Sequence, residues 1–174
     1  MRIKTEYLFF LIFSSSLLFS CASNQSIDDS RNEKLSRERI MNSYPKDISN
    51  PNINISSFNG DLLITGQVPR QDLVGLATGE VNTLRNVRQV FNYLQVMGAT
   101  SFLSRANDRL ITNRIKSKLQ DSKSLNMTKI RVVTEYGVVY FLGILKKDDL
   151  EMLLELTKEI KGVQRVISHV RLEK

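Results

Sequence analysis

Apolar and polar residues alternate along one stretch of the chain, which has a turn signal at its centre. Ile53 and Ile55 are separated by polar residues, Asn59-Gly60 follows, and residues 62–65 are largely apolar. A period of two is typical of a half-buried strand, and Asn-Gly favours a tight hairpin because both residues tolerate positive φ. The pattern predicts two antiparallel strands joined at Asn59-Gly60.

The residues around this hairpin complete a domain-sized pattern. Apolar residues recur at helical spacing through residues 72–85, and residues 87–96 are again rich in apolar side chains. Before the hairpin, Ser30 and Glu33 have the spacing of a capping box, which predicts a helix over residues 31–43. The predicted order is helix, strand, strand, helix, strand.

The same order occurs a second time further along the chain. Gly60 and Gly66 of the first copy have their counterparts 77 residues later in Gly137 and Gly143, and the apolar strand positions keep this register. One residue is then lost, and the match continues at an offset of 76 to the last strand. A register held over about 40 positions indicates an internal duplication.

The second copy has a predicted opening helix of its own. Asp108 is a residue type favoured at helix N-caps, which predicts a helix over residues 109–120. In the segment before it, we expect the apolar pair Phe102 and Leu103 to pack on one of the domains.

The N-terminus has the composition of a targeting segment. Arg2 and Lys4 precede an apolar stretch at residues 7–19, which has the length of a secretory signal rather than of a membrane span. Leu18 lies three residues before Cys21, with a small residue directly before the cysteine, and this resembles a bacterial lipobox. The alternative is an ordinary cleaved signal with an incidental cysteine.

The lipobox resemblance implies that Cys21 becomes the mature N-terminus and carries acyl chains. Cys21 is the only cysteine, so it has no disulfide partner within the chain. Ala22 stands where an inner-membrane retention signal usually has Asp, which favours the periplasmic face of the outer membrane. The predicted segments are a signal peptide at residues 1–20, a flexible tether at 21–29, a first domain at 30–97, a linker at 98–107 and a second domain at 108–174.

Positive charge is concentrated in the second half of the chain. The sequence has 25 Lys and Arg against 18 Asp and Glu, a formal net charge of +7. Residues 108–174 hold 14 of these basic and 9 of these acidic side chains. A basic balance often indicates nucleic acid, but export argues against that partner. Anionic phospholipid is the polyanion available in an envelope.

No residue pattern indicates enzymatic chemistry. The sequence has no phosphate-binding glycine loop, no activated serine motif and no cysteine nucleophile. His169 is the only histidine, and without a neighbouring carboxylate or cysteine it predicts neither a metal site nor a catalytic pair. We therefore expect no enzyme activity, no cofactor, no metal and no small-molecule substrate.

The second copy resembles a known family. The residues that carry the resemblance are Asp108-Arg109-Leu110-Ile111-Thr112, Tyr136-Gly137-Val138-Val139, Leu142-Gly143 and Gly162-Val163. They resemble the BON domain, and two such units behind a lipobox are similar to the DolP-like family of outer-membrane lipoproteins. The resemblance implies an α+β fold of two tandem αββαβ domains, each a three-stranded mixed sheet backed by two helices. It also implies a non-enzymatic protein that binds anionic phospholipid, phosphatidylglycerol in particular, and supports outer-membrane integrity.

In that family the contact surface is attributed to the opening helix of the second domain. At 100° per residue, Leu110 lies off the core-facing stripe of this helix and is flanked by Arg114 and Lys118. An exposed apolar residue between cations is what a shallow membrane contact needs. The alternative is that Leu110 packs on Phe102 or Leu103 and that the cations are merely solvated. The predicted phospholipid-binding residues are Leu110, Arg114, Ser117 and Lys118.

The face of the second sheet opposite its helices is unusually apolar. An exposed patch of this kind marks an interface. Either the first domain covers it, or a protein partner in the envelope does, and the chain would then be an adaptor rather than a lipid-binding module. The residues on this face are Val138, Tyr140, Leu142 and Ile167.

Overall fold

The two sequence copies fold into two α+β domains of the same topology. The computed structural model describes residues 20–48, 51–121 and 125–173, so nearly all of the predicted signal peptide lies outside the described residues. The first domain consists of α1 (Ser20–Ser43), β1 (Asn52–Phe58), β2 (Asp61–Val68), α2 (Asp72–Asn82) and β3 (Gln89–Val96). The second consists of α3 (Phe102–Asp121), a 3-10 turn (Met127–Lys129), β4 (Ile130–Glu135), β5 (Val138–Leu145), α4 (Lys147–Lys158) and β6 (Arg165–Leu172).

Each domain contains one three-stranded mixed sheet. β1 and β2 are antiparallel, and β3 pairs with β2 in parallel after the crossover helix α2; β4, β5 and β6 repeat this arrangement around α4. Both hairpins turn through two residues of positive φ, Asn59-Gly60 and Tyr136-Gly137, which matches the right-handed twist of the strands. The predicted fold, two tandem αββαβ domains with mixed sheets backed by helices, is confirmed.

A close approach of two backbones explains the second repeated glycine. A Cβ atom on Gly66 would lie 1.8 Å from the Asn52 carbonyl oxygen, and one on Gly143 would lie 2.6 Å from the Lys129 carbonyl oxygen. Both contacts are far inside van der Waals distance, so neither strand pair accommodates a side chain at this position.

Each domain has its own hydrophobic core between the sheet and the two helices. In the first domain, Ile40 of α1 and Leu73 of α2 are fully buried against β2. In the second, α3 and α4 enclose Phe141 of β5 in the same way. The predicted core-facing stripe of α3 is confirmed by complete burial of Ile111, Ile115 and Leu119.

The opening helix of each domain begins earlier than the sequence predicts. α1 begins at Ser20 rather than at residue 31, and α3 begins at Phe102 rather than at residue 109. The predicted flexible tether at 21–29 is therefore helical, and the predicted linker at 98–107 is helical from Phe102 onward.

A carboxylate inside each helix binds the hairpin turn of the same domain. The Asp29 carboxylate accepts hydrogen bonds from the backbone N–H groups of Asn59-Gly60, at 2.7 and 3.1 Å. The Asp108 carboxylate accepts from Tyr136-Gly137, both at 2.9 Å. Both aspartates are buried. Asp108 is thus not an N-cap, as its residue type predicts, but ties α3 to the hairpin turn of its own domain.

The two sheets pack face to face through a third apolar cluster. Phe91 and Tyr93 of β3 lie against the predicted apolar face of the second sheet. The expectation that the first domain covers this face is confirmed, and the surface that an adaptor would have offered to a partner is occupied. The buried members of the cluster are Leu63, Val138, Tyr140 and Leu142.

A buried carboxylate crosses the interface beside this cluster. Glu135, 7% exposed, accepts hydrogen bonds from Gln67 Nε2 at 2.7 Å, Asn54 Nδ2 at 2.8 Å and Asn52 Nδ2 at 3.3 Å. All three donors belong to the first domain. Among the described residues no Lys or Arg forms an ion pair with Glu135. The charge is therefore stabilised by amide donors from the other domain.

His169 also contacts the first domain. Its ring stacks on Phe91 with 3.6 Å between ring centroids, and Nε2 lies 2.9 Å from the Tyr93 hydroxyl. Burial lowers the pKa of His169 below its usual value, and the nearby Asp61 carboxylate acts in the opposite direction. The histidine therefore has a packing role in the domain interface.

Candidate membrane-contact site

The outer face of α3 is fixed by how this helix packs. Its buried stripe holds one side against the sheet, and the hydrogen bonds of Asp108 hold its second turn to the hairpin. Rotation of the helix about its axis would break both sets of contacts. The residues on the opposite side are thereby held toward solvent.

The structure places all four predicted lipid-binding residues on this outer side. Leu110 is 53% exposed, and Ser117 is also exposed. Arg114 donates from Nη1 to the Lys161 carbonyl oxygen at 3.2 Å. Lys118 Nζ lies 3.4 Å from Glu159 Oε2. Their common orientation is now established, whereas their binding to lipid stays a prediction.

The contacts of the two cations are weak enough to be exchanged. The side chains of Lys118 and Glu159 are 50% and 72% exposed, and an ion pair in such a setting contributes about 0–1 kcal/mol. A phosphate group that approaches α3 would therefore meet little competition for Lys118. The hydrogen bond from Arg114 to Lys161 uses only Nη1, one of the donor nitrogens of the guanidinium group.

Two functional candidates were missed by the sequence prediction. Phe102 and Leu103 were expected to pack on a domain, and this is wrong: they are 76% and 78% exposed. Leu110 is itself 53% exposed, so these two side chains do not bury it. The helical rule of 100° per residue would have placed Leu103 about 20° from Leu110, had the helix been extended to Phe102.

Cations flank the apolar residues on both sides. Arg114 and Lys118 lie on one side, and a second row lies on the other side at about 220–260° from Leu110. The only acidic side chain that the structure describes in α3 is Asp108, which is buried and directed at the hairpin. Along residues 102–120 the outer face is thus apolar along its centre and basic along its edges. The second row consists of Arg105, Arg109 and Lys116.

The corresponding helix of the first domain lacks this pattern. Asp29 and Asp108 make equivalent hydrogen bonds, so they align α1 with α3. With this alignment, Phe102, Leu103 and Leu110 correspond to Ser23, Asn24 and Arg31. The exposed face of α1 also carries the ion pairs Arg31–Asp28 and Lys34–Glu38. Over its whole length, α1 has four basic and four acidic residues, whereas α3 has five basic and two acidic ones. The duplicated framework therefore carries an apolar, basic face in only one of its copies.

A polar cleft of about 500 Å³ lies between the domains beside α3. Arg105 and Arg109 line it, as do the carboxylates of Asp108 and Glu135. The two positive and two negative charges balance, so the cleft offers an anion no advantage over the outer face.

Two further properties concern membrane-spanning helices and metal ligands in the described part of the chain. Within residues 20–48, 51–121 and 125–173, no helix combines the length and apolar character needed to cross a bilayer. In the same part of the chain, no group of three or more His, Cys, Asp or Glu side chains is placed to hold a metal ion.

The fold defines a protein of two tandem α+β domains of the same topology. Residues 28–98 and 107–174 match the BON domain, and the chain belongs to the BON domain family. It is 30% identical over 132 residues to outer membrane lipoprotein DolP of Haemophilus influenzae, covering 74% of this chain and 68% of that protein. It is 26% identical over 138 residues to a 21 kDa hemolysin of Actinobacillus pleuropneumoniae, covering 78% of this chain and 71% of the relative. The chain is a dual-BON protein similar to DolP.

Proposed function

We propose that this protein is held at the periplasmic face of the outer membrane by acyl chains on Cys21 and binds anionic phospholipid through the outer face of α3. In this way it would support the integrity of that membrane. The similarity to an outer membrane lipoprotein supports the location. The observation that carries the binding surface is the outward position of Leu110 between two rows of cations.

The energies of such a contact are modest. Full burial of a leucine side chain contributes about 1.5–3 kcal/mol, and about half of Leu110 is available for it. Each cation close to an anionic surface adds about 1 kcal/mol. An acyl anchor would make the encounter intramolecular, so that a weak contact becomes persistent. Phosphatidylglycerol fits this surface because the exposed cations need a net negative lipid.

Vesicle co-sedimentation tests the proposal directly. The chain from Ala22 onward lacks the anchor but contains nearly all of the described fold. We expect it to bind vesicles that contain phosphatidylglycerol, to ignore neutral phosphatidylcholine vesicles, and to lose binding as salt rises, since salt screens exposed charges. Equal binding to both vesicle types, or no binding to either, would refute the proposed lipid preference.

Leu110→Glu tests the surface itself. The variant loses about 0.8–1.5 kcal/mol of apolar burial and adds about 1 kcal/mol of repulsion, so we expect roughly 20–60-fold weaker binding. Folding should be unaffected because the side chain is half exposed. Leu35→Glu on α1, where Leu35 is 37% exposed, is the matched control and should bind as the parent does. Parent-like binding by Leu110→Glu would remove α3 from the site.

A further inference from the structure

Two hydrogen bonds to Ser101 hold the first turn of α3 in helical conformation. Ser101 Oγ accepts a hydrogen bond from the Ser104 backbone N–H, and the Ser101 carbonyl oxygen accepts one from the Arg105 N–H, both at 3.1 Å. These bonds begin the helix at Phe102. Phe102 and Leu103 therefore hold fixed directions relative to Leu110, two turns further along the same helix.

These two side chains are the most exposed large apolar residues in the described part of the chain. Phe102 and Leu103 are 76% and 78% exposed, whereas the next most exposed, Ile27, is 57% exposed. Adjacent apolar side chains of this size in water mark a contact surface. Neither contributes to a core or to the domain interface, so folding alone does not account for them.

The surroundings of the pair fit a lipid bilayer. Leu103, Ala106 and Leu110 lie within about 60° of one another on the helix, and Phe102 lies beside them. Arg109, which is exposed, follows within two turns, at the height where lipid phosphates would lie if the apolar side chains entered the acyl region. Arg105, between them, donates from Nη1 to the Thr100 carbonyl oxygen.

We propose that Phe102 and Leu103 form an apolar wedge that enters the acyl region and makes the first turn of α3 the deepest point of the contact. This proposal rests on the proposed phospholipid binding. It adds how deeply α3 enters the bilayer and how the helix is tilted relative to the membrane surface. The deepest point lies about two turns before Leu110 and about three to four turns before Arg114, Ser117 and Lys118, and the helix rises toward Ser117 and Lys118. The wedge is confined to the second copy, because Ser23 and Asn24 occupy the equivalent positions of α1.

Depth-dependent quenching tests the wedge. Cys21 is the only cysteine, so the chain from Ala22 onward has none and accepts a single labelled cysteine elsewhere. A polarity-sensitive fluorophore is attached to Phe102→Cys, Leu110→Cys, Ser117→Cys or, as control, Leu35→Cys. Vesicles of phosphatidylglycerol and phosphatidylcholine carry nitroxide quenchers at defined acyl depths. We expect the probe at 102 to be quenched by the deepest nitroxides, the probe at 110 by shallower ones and the probe at 117 by the shallowest. The probe at 35 should not be quenched.

The outcomes separate the wedge from the proposed function. If the labelled proteins bind the vesicles but the probe at 102 stays in water, the wedge is refuted and phospholipid binding stands. If the probe at 117 is quenched as deeply as that at 102, the proposed tilt is refuted. If no labelled protein binds, both proposals fall.

A second measurement uses no label. In Phe102→Ser/Leu103→Ser we expect at least about tenfold weaker vesicle binding with an unchanged dependence on salt. In Arg114→Ser/Lys118→Ser we expect a shallower dependence on salt, because charges are lost. Ile27→Ser/Leu35→Ser on α1 is the matched control. Parent-like binding by the wedge variant, or an altered salt dependence, would overturn the assignment.

Discussion

Replacement of Glu135 by alanine would test whether the two domains form one cooperative body. The carboxylate receives three amide hydrogen bonds from the first domain, two of them at 2.7 and 2.8 Å. Its removal leaves the Gln67 amide without that acceptor at a site where Gln67 is only 1% exposed. Asn54 is exposed and can bond to water instead.

The expected loss of stability follows from the different exposure of the three amide donors. A buried donor left unsatisfied costs about 1–3 kcal/mol, and the less buried donors add less. Loss of the side chain also relieves the desolvation of a buried charge, which offsets part of the cost. We therefore expect Glu135→Ala to lower the free energy of unfolding by about 2–4 kcal/mol. For a chain of this size that lowers Tm by about 5–15 °C.

Urea unfolding followed by circular dichroism measures the change. Glu135→Gln keeps the shape and one carbonyl oxygen, so an intermediate loss is expected. Glu155→Ala is the control, because Glu155 forms an exposed ion pair with Lys158 and should contribute within about 0.5 kcal/mol. If Glu135→Ala unfolds within about 0.5 kcal/mol of the parent, the network does not hold the domains together.

Three further predictions concern stability. Asp108→Asn should cost about 1–3 kcal/mol in thermal or urea unfolding, because an amide does not accept both turn N–H groups as the carboxylate does; an unchanged midpoint would contradict the role given to Asp108. Since burial lowers the pKa of His169, the unfolded chain binds its proton more readily, and stability should fall as pH drops below about 6.5. In His169→Phe, the free energy of unfolding measured by urea titration should no longer show this fall with pH. A fall that persists in the variant would have to come from other titratable groups. Gly66→Ala should cost about 3 kcal/mol or more, whereas Gly75→Ala, with open space around its Cβ, should stabilise α2 by about 0.5–1 kcal/mol; equal midpoints would contradict the packing argument.

The parts of the fold that depend on local chemistry were predictable from the sequence. Asn59-Gly60 specifies its turn through the conformations that its own residues adopt, and alternation along β1 reports which face is buried. The core stripe of α3 follows from the helical period alone. Duplication strengthened these predictions, because each hairpin repeated the pattern of the other.

The helix starts were not predictable in the same way. Asp108 is a favoured N-cap type, but its hydrogen-bond partners lie 28 and 29 residues away in the hairpin. Glu33 completed the pattern of a capping box, yet it accepts from the Ser57 backbone N–H at 2.7 Å. Contacts so distant in sequence override the local preference for a helix end.

The candidate site was predicted in its direction but not in its extent. Leu110 was placed correctly on the outer side because its angle to the core stripe is a property of the helix. Phe102 and Leu103 were assigned to packing because they are apolar, although apolar residues are frequently exposed. Whether Phe102 and Leu103 are packed or exposed becomes clear only when the start of the helix is known.

The covered sheet face sets a limit on how the molecule can be divided. A fragment with the second repeat alone would expose Tyr140 and Leu142 to water and would leave Glu135 without its amide donors. Such a fragment would carry two apolar surfaces in place of one. Binding of this fragment to vesicles, or its self-association, would then reflect the newly exposed sheet face as much as α3. Affinities are therefore best compared between intact chains that differ by one side chain.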